Sequence, residues 1–327
     1  MESPSQQNRI KFKTTQDWHN FIKRPNIQFN PFTLRENCYK DIEQLRNRPL
    51  LVYVTKFLEG VPPNEPRFPN FIDLPDVDGF TDLINSVKKS DAVDVLLHSP
   101  GGRPDATERL VKLLRSHFKQ VDFLIPHSAY SAATMLALSG NNIILHPSAT
   151  LSPIDPQING LPARIRKNGF EKIKERISKE GPKTLPAYIP LIEKSISLEL
   201  LELCEDSEKL SIALVSNWLK QYMFKGKENS DEKIKEAVKY LSNYNEHLMH
   251  SRPLSIEKLS SFGLKIEYAD DTLQDLLWEA HILINGFFNI TPFVKLYENT
   301  KGISWGKQFG QILLQQQPKK TPPKPQQ

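Results

Sequence analysis

The chain has 327 residues, 39% of them apolar and 25% charged, a balance that lets a soluble protein bury one large core or two average ones. Its net charge of +5 is small for the length and no Lys/Arg stripe interleaved with aromatics occurs, so nucleic acid is not an expected partner. Cys38 and Cys204 stand alone, no run of about 18 apolar residues is present, and "MESPSQQNRIKFKTTQDW" lacks an apolar signal segment; a cytoplasmic protein without an integral membrane segment is expected.

Residues 1–44 are polar and mixed, and read as an N-terminal extension with short helices. The main domain, 45–300, opens with a β-rich run at 50–55. After a Pro-rich connection, "VDGFTDLINSVKKS" has the i, i+3, i+4 apolar spacing of a helix. Then come "AVDVLLHS" (strand), "ATERLVKLLRSHF" (helix), "QVDFLIPHS" (strand), "SAATMLALSG" (helix) and "NNIILHP" (strand). Apolar strands alternating with helices predict parallel βαβ units, and so an α/β fold with strands buried on both faces. Residues 162–250 turn helical and charged, a large helical insertion, and "SRPLSIEKLSSFGLKIEY" returns to a helix–Gly–strand pattern. The segment 301–327 ends in "LLQQQPKKTPPKPQQ", whose composition predicts a disordered tail.

The stretch "HSPGGRPDATERLVKLLR" places Gly101 and Gly102 between an apolar strand and an amphipathic helix. A tight turn or a close approach to the backbone calls for glycine there. Its companion is "IPHSAYSAATMLALSG", where Ser131 precedes a helix of small residues. Such a serine can be an N-cap, its hydroxyl satisfying an orphan amide. Yet Ala129, Ala132 and Ala133 keep its surroundings small, which a cap does not require and a substrate does. Acyl transfer needs a nucleophile, amide donors at the developing oxyanion, and a base. The helix start supplies the Ala132 N–H and a favourable dipole, and the "SPGG" loop supplies a second amide from Gly101 or Gly102. In a parallel sheet both loops fall at the carboxyl ends of neighbouring strands, where open α/β folds bind ligands.

"LLHSPGG" and "IPHSAYSAATMLALSGNNIILHPSATLSPIDPQI" resemble the Clp-protease/crotonase superfamily. Within it the likeness is to the serine dehydrogenase proteinase family, which is similar to the signal peptide peptidases. It runs from about 50 to 300 and includes "IDLPDVDGF", "LPAYIPLIEK" and "HSRPLSIEKLSSFGLKI". The resemblance implies a Clp/crotonase-like fold, a serine peptidase acting on peptide or protein substrates, and a homo-oligomer. It matches Ser131 to the nucleophile, and Gly101, Gly102 and Ala132 to the oxyanion hole.

The base is left open. In the Clp subunit a histidine follows the nucleophile helix, but "ATLSPIDP" here holds Ser152 and Asp155 and no histidine, so a Ser-His-Asp triad in that order is not expected. Signal peptide peptidases use a lysine from a later helix, whose desolvation depresses its pKa; Lys194 and Lys209 lie on apolar-patterned helices and are candidates. His250 is the other, 13 residues before Gly263 and by resemblance within one position of the Clp triad acid; imidazole titrates near neutrality. Asp155, flanked by prolines, reads as an Asx-turn rather than a catalytic acid. His98 reads as a partner of loop backbone, His127 and His146 as strand-end residues bonding carbonyls, and Cys204 as a core residue.

No H-E-x-x-H, C-x-x-C or acidic cluster points to a metal, and G-G-R lacks the spacing of a P-loop or dinucleotide fingerprint; no cofactor is expected. Two other readings stand beside the peptidase. One is a catalytically inactive Clp-fold scaffold, and the other is crotonase-like acyl-CoA chemistry on the same paired amides.

Overall fold

Leu50–Thr55 is buried at every position and forms β1, as expected of a strand covered on both faces. The computed structural model describes residues 9–58, 68–88, 90–195 and 197–309. The Pro/Gln/Lys tail from residue 310, and residues 59–67 of the Pro-rich connection, lie outside the described residues. Ahead of β1 come α1 (Thr15–Ile22) and α2 (Pro31–Arg46); after it come α3 (Asp76–Ser86), β2 (Ala92–His98), α4 (Pro104–His117), β3 (Gln120–Ile125), the short β4 (Ser128–Ala129), α5 (Ala132–Leu138) and β5 (Asn142–Leu145). From β1 to β5 the strands and helices follow the alternation that the hydrophobic pattern predicts.

The short strands β6 (Thr150–Leu151), β7 (Gln157–Ile158) and β8 (Leu161–Pro162) lead into α6 (Ala163–Glu180), α7 (Leu185–Ser195) and α8 (Leu198–Trp218). A π-helical turn at Leu219–Met223 follows, then α9 (Ser230–Ser242) and α10 (Tyr244–His247). The chain closes with α11 (Ile256–Ser261), β9 (Ile266–Tyr268), α12 (Asp271–Ile290), β10 (Phe293–Asn299) and β11 (Ser304–Gln308).

One seven-stranded sheet organises the molecule, in the order β11-β10-β1-β2-β3-β5-β9. β1, β2, β3, β5 and β9 run parallel, whereas β10 and β11 join the edge antiparallel. Alternation along each strand sorts side chains to two faces. Tyr53, Val95 and Phe123 face a core shared with α3, α4, α5 and the α8–α9 pair; Val52, Leu96 and Leu124 face a second core under α12. Residues 9–46, polar in composition, supply α1 and α2 to that second layer through buried Trp18, Phe21, Tyr39 and Ile42. Asn30 caps α2 by accepting from the Phe32 and Thr33 amides, with Pro31 at the first helical position, where its missing N–H costs nothing.

The two ends of the parallel strands carry different charges. Near the amino ends, Asp94 of β2 and Asp122 of β3 are in register and buried. Arg46 reaches them at 2.8 and 3.1 Å, and Arg48 reaches Asp122 at 2.9 Å. At the carboxyl ends, His98 and His127 gather against His281 of α12, with ring centroids 4.5 to 5.8 Å apart, and His146 stacks on Trp278.

Candidate active site

A second, shorter ladder forms at the carboxyl ends of the strands. The Ser99 N–H donates to Ser128 O and the Tyr130 N–H to Ser99 O, both at 3.0 Å. On one side, Ile72 pairs with Gly102: the Ile72 N–H donates to Gly101 O at 2.7 Å and the Arg103 N–H to Ile72 O at 2.9 Å. On the other side β4 pairs with β6, and the Leu254 N–H donates to Leu151 O at 3.0 Å. The segments holding Gly101, Ser131, Asp155 and His250 are thereby tied to one another by backbone hydrogen bonds.

Ser131 turns the chain from β4 into α5 with φ 52° and ψ −121°. That is the first central position of a type II′ turn, which glycine favours, and holding a serine there costs about 1–3 kcal/mol. Its hydroxyl makes no capping hydrogen bond, which corrects the N-cap reading. Nor does that hydroxyl bond to any other group among the described residues. The Ser131 amide instead donates to Ser152 Oγ at 2.8 Å, and buried Ser152 is held in turn by Thr134 Oγ1. Ala132 begins α5, so its N–H lacks an intrahelical acceptor.

The diglycine loop abuts this turn. A Cβ on Gly101, whose φ is +92°, would meet Tyr130 O and lie 2.7 Å from Ala132 N and 2.8 Å from Ser131 Cβ. No other residue fits that approach. A Cβ on Gly102 would strike the Ile72 backbone. Along a strand successive amides point to opposite edges. With Gly101 O and Arg103 N turned toward Ile72, the Gly102 N–H faces the opposite edge. It has no acceptor among the described residues.

His250 Nδ1 lies 2.8 Å from Asp155 Oδ1, across a sequence separation of 95 residues. Asp155 is buried, and its other oxygen accepts from Gln157 Nε2 at 3.1 Å. Both carboxylate oxygens thus serve side chains, which corrects the Asx-turn expectation. The His250 side chain is 23% exposed, so its far edge reaches solvent. The lysine candidates lie elsewhere. Lys194 is exposed on α7, and Lys209 is 65% exposed and pairs with Glu205 and Asp206 of its own helix. Neither is desolvated, the condition that makes a lysine a base.

His98, His127 and His146 each make hydrogen bonds. His98 Nδ1 accepts from the Ser128 N–H at 3.2 Å, His146 Nδ1 accepts from the Ser148 N–H at 3.0 Å, and His127 Nδ1 bonds Ser128 Oγ at 2.7 Å. For His146 the Ser148 amide stands where a carbonyl partner is expected from sequence. Burial, then the neighbouring His127, pushes the His98 pKa down to about 3. Cys204 is buried, as expected of a core residue. Among the described residues no group of three or more His, Cys, Asp or Glu could hold a metal ion. No helix among them is long and apolar enough to cross a membrane.

Comparison with known proteins extends this picture. The model of the ClpP-like SDH-type serine proteinases matches residues 24–276. The chain is 26% identical over 237 residues to the uncharacterized protein MJ1495 of Methanocaldococcus jannaschii, covering 71% of each. It is 25% identical over 251 residues to the uncharacterized protein MJ0137 of the same organism, covering 75% of this chain and 78% of that one. Among solved structures it is similar to a mutant of the 1510-N membrane-bound stomatin-specific protease, at 16% identity over 62% of this chain and 77% of that one, with a TM-score of 0.36. A ClpP1 mutant from Listeria monocytogenes gives 13% identity, 63% and 90% coverage, and a TM-score of 0.34. The family match takes in the diglycine loop, the Ser131 turn and the Asp155–His250 pair, and the chain belongs to the ClpP-like SDH-type serine proteinase family.

Proposed function

We propose that the protein is a serine peptidase that cleaves peptide bonds through an acyl-enzyme on Ser131. The observation that carries this reading is the 2.8 Å His250–Asp155 contact, on segments tied by the short ladder to the Ser131 turn. Asp155 accepts the Nδ1 proton of His250 and fixes the tautomer that leaves Nε2 free as base. Nε2 takes the Ser131 hydroxyl proton as Oγ attacks the carbonyl carbon. The Gly102 and Ala132 amides, both without acceptors among the described residues, stabilise the oxyanion of the tetrahedral intermediate. The protonated imidazole then gives its proton to the leaving amine, and water, activated by the same nitrogen, releases the acid. The Ser131–His250 hydrogen bond forms as substrate closes the site, since catalytic hydrogen bonds are often long without ligand. Lys194 and Lys209 take no part.

A second copy of the chain belongs to this reading. Leu185, Ile189 and Leu191 of α7, with Leu198 and Leu203 of α8, are 39 to 73% exposed, and an apolar strip of this kind marks a protein–protein contact.

Labelling with a fluorophosphonate probe, beside hydrolysis of a casein-derived peptide mixture, tests the proposal. Wild type should be labelled and active, and Ser131→Ala should lose both with its thermal transition retained. Absence of labelling in folded wild type would establish the inactive scaffold instead.

A further inference from the structure

Behind the diglycine loop lies a buried ionic cluster that the proposed chemistry does not touch. Asp76, at the start of α3, is fully buried. It accepts from Tyr53 Oη at 2.6 Å, Tyr297 Oη at 2.5 Å, Lys295 Nζ at 2.8 and 2.9 Å and Lys307 Nζ at 3.1 Å. Burial pushes its carboxyl up, but the Lys295 charge and the hydrogen bonds from Lys295, Tyr297 and Tyr53 outweigh burial and hold it below the usual carboxylate range. Burial in turn pushes the Lys295 ammonium down, against the opposing pull of the Asp76 charge and hydrogen bonds.

The cluster also grips a specific piece of backbone. Lys295 Nζ donates to Phe71 O, and the Asp73 N–H donates to Asp76 Oδ2 at 2.9 Å. Between those two anchors stands Ile72, whose N–H and carbonyl form the bridge to Gly101 O and Arg103 N. We propose that Asp76 and Lys295 are positioning residues of the peptidase site: they clamp the 71–73 segment from both sides, and that segment holds the diglycine loop so that the Gly102 amide faces the oxyanion. The inference rests on the peptidase reading for its catalytic consequence, though not for the clamp itself. A buried ion pair of this kind contributes little net stability against an apolar replacement, whereas a donor displaced from an oxyanion is expensive.

The test compares wild type with Lys295→Met, using hydrogen exchange by NMR, the rate of fluorophosphonate labelling and the affinity of a peptide boronate, which forms a tetrahedral adduct. Exchange of the Ile72 and Arg103 amides should quicken about tenfold or more while those of β2 and β3 stay protected. Labelling rate and boronate affinity should each fall about tenfold. The pH profile of labelling should not move. Unchanged exchange at Ile72 and Arg103 would overturn the clamp. Faster exchange with labelling and boronate affinity intact would overturn its role at the oxyanion. If folded wild type is not labelled, the peptidase reading fails by itself and exchange alone decides the clamp. Should Lys295→Met not fold, Tyr297→Phe, which removes one hydroxyl from Asp76, carries the same comparison with about threefold effects.

Discussion

The two ends of the central sheet answer opposite demands. At the amino ends, two carboxylates lie side by side on neighbouring strands and two arginines neutralise them, so that every charge there has a partner of its own. At the carboxyl ends burial pushes the pKa values of His98, His146 and His281 down, and among the described residues two backbone amides lack acceptors and a serine hydroxyl has no hydrogen bond. The first arrangement closes the layer; the second leaves valences open for something that arrives. The same parallel geometry makes both possible, because it sends every βα loop to one end and leaves the other for packing.

That contrast can be broken most forcefully by removing one group from each end. His250→Ala should lower kcat/KM by about 10²–10⁴-fold with the thermal transition almost unmoved, which peptide hydrolysis and calorimetry together would read. Arg46→Ala should do the reverse. It strands the buried Asp94 and Asp122 with Arg48 alone, costing about 3 kcal/mol of stability in urea unfolding, while the folded fraction keeps its labelling rate. Equal losses of labelling in both variants would end the claim that the two ends are separable.

Acid provides a finer test, since the ends titrate with opposite signs. Burial, with the neighbouring His98, His127 and His146, pushes His281 down to about 2, and His98 lies at about 3. Unfolded, each takes up a proton near pH 6.5. The stability that these neutral rings confer is therefore present above about 6.5 and is lost as pH falls, by about 1.4 kcal/mol per pH unit for each. His281→Gln should flatten the acid limb of a pH–stability profile by roughly half.

Asp94 works the other way. Desolvation, only partly offset by Arg46, raises its carboxyl to about 6. Its contribution is present below the unfolded value and fades as pH rises through about 6, so between pH 4 and 6 it offsets one histidine. Asp94→Asn should steepen the acid limb over that window by about 1.4 kcal/mol per pH unit. Flattening instead would reverse the assignment.

What the sequence makes legible follows the range of the interactions. β1 to β3 and α3 to α5 announce themselves through local periodicity, and Gly101, Gly102 and Ser131 through small residues next to strand ends. The Asp155–His250 pair does not, because α6 to α10 separate its members and neither neighbourhood mentions the other. The proline-flanked Asp155 was the available signal, and it reads more readily as a rigid turn. Asp76 and Lys295 lie 219 residues apart, and nothing local marks either as buried. The β10–β11 hairpin escapes for a related reason: its edge is completed by β1, formed more than 230 residues earlier.

The Ser131 turn also bears on stability. Its dihedral angles suit a residue with no side chain, and among the described residues the hydroxyl forms no hydrogen bond in return. Ser131→Gly should therefore yield a protein that is idle yet harder to melt. On the proposed mechanism, the atom that attacks the substrate is one that the local backbone would rather do without.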